Sequence, residues 1–378
     1  MRPLVQELAQ VIINDRAFYD LPRKFNIAYD GGGLIGSVED TNDIGVKAVK
    51  IGEEVFFRIA LGGATGHKAF ARDLGVIVKP VEVNKVIAAL VRVFIANGNR
   101  GDRKKARLKH LLEKWSLDQY LAETEKLLGY ELTRVPLDAG QIDYPGQDLP
   151  HSHVGIYPQK QAGLNYVGVA VPVGHVTPKQ MLRVAEIADL YGSGEIRLTV
   201  WQNFIIPNVP DTYTATVTKA LRRIGFDTQQ SNLRSGIIAC TGNSYCKFAQ
   251  ANTKGHALAL ADYLDKRVQL DRPVNIHLTG CPNSCAQHYM GDIGLLGTKA
   301  KRAGETLDGY HIFLGGGFGK NQAVGRQVFN AIPHDELAPL VEKILRGYLR
   351  HRNAEESFQS FTTRHDLNTL QAIFSNEE

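Results

Sequence analysis

Residues 274–299 read VNIHLTGCPNSCAQHYMGDIGLLGTK, and residues 25–50 carry the same frame as FNIAYDGG…NDIGVKAVK. Asn26 and Asn275 are 249 positions apart, and so are Asp43 and Asp292. Further on, IALGG at 59–63 lies under IFLGG at 312–316 at an offset of 253, which a four-residue insertion explains. A constant offset across so many positions marks an internal repeat, so the chain holds two copies of one α/β unit. Under the same offset, Cys281 and Cys285 fall on Gly32 and Gly36. One copy keeps the cysteines and the other has none, which frees it for contacts of another kind.

The chain has four cysteines, all between residues 240 and 285. Cys240 and Cys246 form a C-x5-C pair in ACTGNSYC, and Cys281 and Cys285 form a C-x3-C pair in GCPNSC. Four thiolates in two short loops suit a soft metal group. Zinc, a [4Fe-4S] cluster and a pair of disulfides compete for them. Structural zinc takes closer knuckles, and a five-residue gap fits these poorly. Disulfides are disfavoured where no secretory signal accompanies the cysteines. The spacing therefore favours iron–sulfur over zinc without excluding it. Gly242, Asn243, Gly280, Pro282 and Asn283 allow tight turns that aim backbone N–H groups at sulfur.

Composition sets the class. With 43% hydrophobic and 22% charged residues in 378 positions, the chain reads as globular and long enough for two or three packed units. No run of eighteen apolar residues occurs, and Glu7, Asp15, Arg16 and Asp20 stand where a signal peptide would be apolar. A cytoplasmic, reducing setting is expected, with no membrane span. The net charge of +5 suits an acidic partner or ligand, but the basic residues are not interleaved with exposed aromatics, so nucleic acid is not expected. GGGFGKN at 315–321 is one residue short of a P-loop, and Asn321 replaces the hydroxyl that would bind magnesium. The twelve histidines show no H-x-x-x-H pair, and His288 reads as a structural hydrogen-bonder.

Along the chain, Leu4, Leu8, Val11 and Ile12 predict an opening helix. LPRKFNIAYD and VFFRIAL predict strands, and helices are expected over about 84–95, 117–128 and 177–190. NYVGVAVPVG at 165–174 and EIRLTVWQNFIIP at 195–207 predict strands either side of the last of these, half of a ferredoxin-like sandwich. The expected fold is α+β, a pseudo-twofold repeat of α/β units with one ferredoxin-like half-domain between them. Its expected boundaries are a first, cluster-free repeat at 1–130 and a linker at 131–153. A half-domain at 154–225, a second repeat with the cysteines at 226–350 and a tail at 351–378 follow.

C-x5-C followed by GCPNSC resembles the sirohaem-containing assimilatory nitrite and sulfite reductases. LPRKFNIA at 21–28, NRGDRKKAR at 99–107 and EIRLTVWQNFIIP at 195–207 extend that resemblance over nearly the whole chain. It implies a [4Fe-4S] cluster on Cys240, Cys246, Cys281 and Cys285, with Cys285 bridging to the iron of a sirohaem. It also implies an acidic ferredoxin-type electron donor. Lys24 would face the substrate side of the macrocycle and Arg23 its carboxylates. Lysine suits that place, since its ammonium can bind a small oxyanion and pass protons to it. Asn26 is the discriminating position. Sulfite reductases of the family commonly have a second lysine there and nitrite reductases an asparagine, so six-electron reduction of nitrite to ammonia is favoured over sulfite. Arg100, Arg103 and Arg107 recur at helical spacing, and guanidinium pairs bidentately with carboxylate. Arg100 and Arg103, with Asn99 beside them, are the candidate clamps for the cofactor.

The repeat arithmetic leaves a gap. Counterparts of residues 150–250 would precede Met1, so the first ferredoxin-like half, with two substrate-binding arginines of the family, is expected to lie outside this chain. Self-association or a separate N-terminal half is the expected remedy. A precorrin-3B synthase-like oxygenase, a non-catalytic cluster-binding subunit and half of a split reductase are the alternatives.

Overall fold

The computed structural model describes residues 1–33, 35–140 and 153–375 and falls into two compact units, 1–147 and 148–378. The first unit opens with helix α1 (Arg2–Asn14), whose Leu8 is buried. A five-stranded sheet follows in the order β1 (Ile27–Asp30), β2 (Ile44–Ile51), β3 (Glu54–Leu61), β4 (Arg72–Val78) and, after three helices, β5 (Thr133–Arg134). Strand β1 runs parallel to β2, and the remaining pairs are antiparallel. The helices are α2 (Val83–Asn97), α3 (Leu108–Leu111) and α4 (Leu117–Leu128). Helix α2 is apolar over most of its surface because it is covered on several sides, and Val86, Ile87, Leu90 and Phe94 are fully buried. Its neighbour α4 starts at Ser116, whose hydroxyl accepts from the Gln119 amide, and stops at Gly129 in the left-handed region.

The second unit begins with a four-stranded sheet of order β6 (Gly155–Pro158), β7 (Leu164–Val169), β9 (Phe204–Pro210), β8 (Arg197–Leu198). Helices α5 (Pro178–Tyr191) and α6 (Thr214–Arg223) share a core with it around Val167, Val169, Ile187, Ile206 and Leu221. Strand β9 inserts between β7 and β8, which makes a split βαβ, the ferredoxin-like half. The repeat then returns as β10 (Ile237–Ala239), α7 (Thr253–Leu264), β11 (Ile276–Thr279), β12 (Ile293–Arg302), β13 (Glu305–Leu314) and β14 (Arg326–Pro333), closed by α8 (His334–His351), α9 (Phe358–Arg364) and α10 (Leu367–Ser375).

The repeated α/β unit is visible down to single hydrogen bonds. The Asn26 amide donates to Asp43 Oδ2 at 2.8 Å, and the Asn275 amide donates to Asp292 Oδ2 at 2.8 Å. Ile44 N reaches Asn26 O at 3.1 Å, and Ile293 N reaches Asn275 O at 2.9 Å. Val38 and Gln287, 249 positions apart, both stand at φ +53° ahead of a short 3-10 turn. Both copies join the next two strands through a two-residue hairpin, Gly52-Glu53 in one and Ala303-Gly304 in the other.

Several expectations need correction. LPRKFNIAYD is a strand only from Ile27, so Arg23, Lys24 and Asn26 sit on the loop ahead of it. EIRLTVWQNFIIP is two strands, with Gln202 at φ +61° in the turn between them. The linker placed at 131–153 starts too early. Thr133 and Arg134 pair with Ile77 and Val76, and buried Arg58 donates to Pro136 O at 3.0 Å and Ala139 O at 2.8 Å. Those backbone ties leave no apolar period to read; residues 141–152 of the expected linker lie outside the described residues. The expected tail at 351–378 is part of the second repeat through residue 375. Phe358, Phe361, Leu370 and Phe374 are buried in its core, on helices too short for a strong periodic signal.

Candidate functional site: two cysteine loops and a cationic loop

The cysteine loops grow from the parallel pair β10 and β11. Ala239 stands opposite Leu278, and the Cys240 amide continues the ladder by donating to Leu278 O at 2.9 Å. The chain turns at Gly242, φ +74°, where a Cβ would fall 2.8 Å from Thr253 Oγ1. The second loop is locked against the first: Gln250 N donates to Gly280 O at 2.7 Å, and Gly280 N donates to Cys240 Sγ at 3.2 Å. A Cβ on Gly280 would stand 2.6 Å from the Ala249 methyl, so only glycine permits this approach. Fully buried Thr253 donates to Cys240 O at 2.7 Å and lies 3.5 Å from its sulfur. Asp308 on β13 accepts from the Asn252 amide at 3.3 Å and holds Lys299 Nζ at 2.6 Å, a strut from the sheet to the loop.

None of the four cysteines is in a disulfide, and Cys281 is buried while Cys285 is exposed. Among the described residues no three His, Cys, Asp or Glu side chains converge as a single-ion site. A cluster is gripped at separate corners, and a donor set of thiols only, with a backbone N–H aimed at sulfur, fits one.

The half-domain meets this region through Gln202, whose amide accepts from Ala239 N at 3.1 Å and donates to Ala239 O at 2.8 Å, like an added strand residue beside Cys240. Asn203 accepts from Val171 N at 2.8 Å, so both residues of this pair have structural bonds. In the 315–321 loop, Phe318 packs on Trp201 with ring centroids 4.8 Å apart, and Trp201 in turn stands near His277 at 6.2 Å. His277 is buried. Its Nδ1 lies 3.1 Å from Gln287 O, so Nδ1 carries the proton and Nε2 is left a lone pair without a partner. Burial pushes this histidine down to about 4. It is neutral in the fold and takes a proton in the unfolded chain below the usual value of about 6.5, so its contribution is lost as pH falls from about 6.5 to 4. His277→Asn keeps the donor and removes the titration. The melting temperature of the wild type minus that of the variant is expected to fall over that range; a constant difference would show that His277 does not titrate.

In the first repeat the same frame carries different groups. Asp30, at the position of Thr279, accepts from Gly32 N and Ser37 N, both at 2.8 Å, and so holds the loop that replaces the cysteine loop. Lys24 is exposed, and Arg23 and Asn26 are half-buried. Asp43, which holds the Asn26 amide, is fully buried and gripped by Arg107, with Nε at 3.1 Å from Oδ1 and Nη2 at 2.7 Å from Oδ2. Burial pushes its carboxyl up, against the pull of Arg107, the Asn26 amide and Lys24. Arg107→Ala would strand that carboxylate and is expected to cost about 3–5 kcal/mol in urea unfolding. A loss under about 1 kcal/mol would show the pair to be dispensable.

The three arginines do not share a helix face, because α2 ends at Asn97 and residues 103–105 form a 3-10 turn. Arg100 pairs with Asp20 at 3.0 Å and caps Ile95 O, whereas Arg103 is exposed. Asn99 holds its own turn by accepting from Gly101 N at 2.9 Å. Sequence reasoning missed His67 and His110, whose rings meet edge to face at 5.0 Å, because 43 positions separate them and no spacing rule links them.

These features agree with what is similar elsewhere. Residues 1–132 and 230–376 match the nitrite and sulphite reductase 4Fe-4S domain, and residues 157–224 match the nitrite/sulfite reductase ferredoxin-like half domain. A ferredoxin–nitrite reductase of Synechococcus elongatus is 35% identical over 87% of this chain, and this chain covers 64% of that protein. A ferredoxin sulfite reductase of Mycolicibacterium paratuberculosis is 33% identical over 97% of the chain, covering 66% of its own length. The solved structure of Mycobacterium tuberculosis NirA protein matches at a TM-score of 0.90 with 30% identity, over 97% of this chain and 67% of that one. The chain thus spans about two thirds of the length of these relatives. It belongs to the nitrite and sulfite reductase family.

Proposed function

We propose that this chain is the cluster- and macrocycle-binding part of a reductase that converts nitrite to ammonium with electrons from a ferredoxin-type donor. The observation that carries the reading is the division between two copies of one frame, with four thiols in one and Lys24 in the other. When bound, a [4Fe-4S] cluster and a sirohaem would supply one-electron storage and an iron to hold the substrate. The protein's part is to hold and orient. Cys240, Cys246, Cys281 and Cys285 would grip the cluster, with exposed Cys285 also the ligand towards the macrocycle. Lys24 offers an exposed ammonium to pair with an anion and to pass it protons: six electrons and eight protons take one nitrite to ammonium and two waters. Asn26 offers a neutral amide, which suits a monoanion.

A ferredoxin would find Tyr245, 85% exposed, and Phe248 on either side of Cys246, with Lys247 Nζ 5.3 Å from the Phe248 ring centre. On the half-domain, Met181, Leu182, Leu190 and Leu198 are exposed apolar side chains that a second ferredoxin-like half or another copy of the chain would cover. Among the described residues no helix is long and apolar enough to cross a membrane, and reduced thiols suit a cytoplasmic setting. A sulfite-reducing role is the second reading, favoured by the 97% coverage shared with the sulfite reductase. Anaerobic purification, an absorption spectrum and counts of iron, sulfide and zinc test the cofactor assignment. Assays with nitrite and sulfite then decide the substrate. A colourless zinc protein would end the proposal.

A further inference from the structure

We propose that His67 and His110, on the cluster-free repeat, form a proton-taking site for carboxylate groups of the macrocycle. This rests on the reading that the chain binds such a cofactor, and no residue of the pair was a sequence candidate. The two rings meet edge to face with centroids 5.0 Å apart. Their surroundings are fixed. The Arg107 amide donates to His110 Nδ1 at 3.2 Å, which makes Nδ1 the acceptor and leaves the N–H on Nε2. Lys109 Nζ donates to His67 O at 3.2 Å. The Arg107 side chain is committed to Asp43, which in turn holds the Asn26 strand, so the pair is tied to the loop carrying Lys24 and Asn26.

The groups facing His67 are His110, Arg107, Lys109 and Arg23, all basic. Those facing His110 are Lys109, Arg107 and one carboxylate, Glu113, which is itself held by Lys109 at 3.1 Å. Burial first, then His110 and the cations Arg107, Lys109 and Arg23, hold His67 below its usual range, and burial does the same to His110. Both imidazoles are therefore neutral near pH 7 in the chain alone. A carboxylate brought among them reverses the field and favours protonated His67, while His110, whose Nδ1 accepts from the Arg107 amide, offers its Nε2–H. Binding then takes up protons, and affinity rises as pH falls, about tenfold per pH unit for each proton taken up.

Calorimetric titration of the full chain with sirohydrochlorin, the metal-free macrocycle, reads this directly, in two buffers of different ionisation heat at pH 7 and 8. One proton taken up per macrocycle, about tenfold tighter binding at the lower pH, and loss of both effects in His67→Gln/His110→Gln are expected. His67→Lys supplies a permanent cation and should retain affinity while losing the uptake, which a merely structural role for the ring would not allow. Tight binding with no proton uptake, or uptake unchanged in the double variant, overturns the proposal while leaving the cofactor reading intact. No macrocycle binding by the wild type removes both. Nitrite titrated alone is the last arm: proton uptake with nitrite and none with the macrocycle would reassign the pair to the small oxyanion.

Discussion

Replacing Cys285 by serine is expected to leave the anaerobically purified chain with less than about a tenth of the wild-type iron and sulfide, and without visible absorbance. The reason is the softness of the ligand set: an alcohol is a poor, hard substitute for thiolate, and three sulfurs leave one corner of a cluster open to water. The other three cysteines have local support. Cys240 receives the Gly280 amide and sits against Thr253, Cys246 is tied by its amide to Gly242 O at 3.0 Å, and Cys281 is buried. Cys285 is the exposed member, on a loop shaped by Ser284 and Gln287 at positive φ. The fold should survive the change, since that loop is held by hydrogen bonds from Ser284 N to Cys281 O at 3.1 Å and from Ala286 N to the Thr279 hydroxyl at 3.2 Å. A Cys285→Ser protein with full iron and an unchanged spectrum would remove this residue from the site.

What could be read beforehand was whatever lies in one local pattern. The Asn–Asp frame is repeated residue for residue, so the two α/β units were legible from an offset alone. The adjoining cysteine loops were legible because turn-forming residues surround the thiols. The chemistry of long-range pairs was not. Asp43 could be aligned with Asp292, but that Arg107, 64 positions on, grips only the first was invisible, as was the His67–His110 contact. NRGDRKKAR was misread as a helix face for a local reason: Asp102 and Asn99 bond to nearby amides and take the chain out of the helix. The second copy shows the cost of lacking Arg107. Asp292 is buried with the Asn275 amide and side chain as its partners, and burial pushes its carboxyl up to about 7. One sequence frame thus holds a buried carboxylate in two electrostatic states, with the ion pair on the repeat that carries Lys24.

Asn26→Lys is expected to move the substrate preference from nitrite towards sulfite by about ten- to a hundredfold in the ratio of kcat/KM values, mostly through weaker use of nitrite. Asn26 is half-buried, and its backbone is pinned on both sides, donating to Asp43 Oδ2 at 2.8 Å and accepting from Ile44 N at 3.1 Å. The loop therefore cannot move away when the side chain changes, and the new ammonium must share space with Lys24 two residues earlier. Two cations close together favour a dianion, while a monoanion leaves one of them uncompensated. Lys24→Met is the control that separates charge from shape, because it keeps the length of the chain and removes the ammonium. It should lower turnover of both substrates by about a hundredfold, the scale on which a positioned acid contributes. Equal effects of Asn26→Lys on nitrite and sulfite would show that this position does not read substrate charge. The assays should use the chain with its cofactors bound and, where a second ferredoxin-like half is needed for turnover, with that half supplied. Substrate-induced spectral shifts of the loaded chain give the ratio of binding affinities without turnover, so the binding part of the preference can be measured even where reduction is slow.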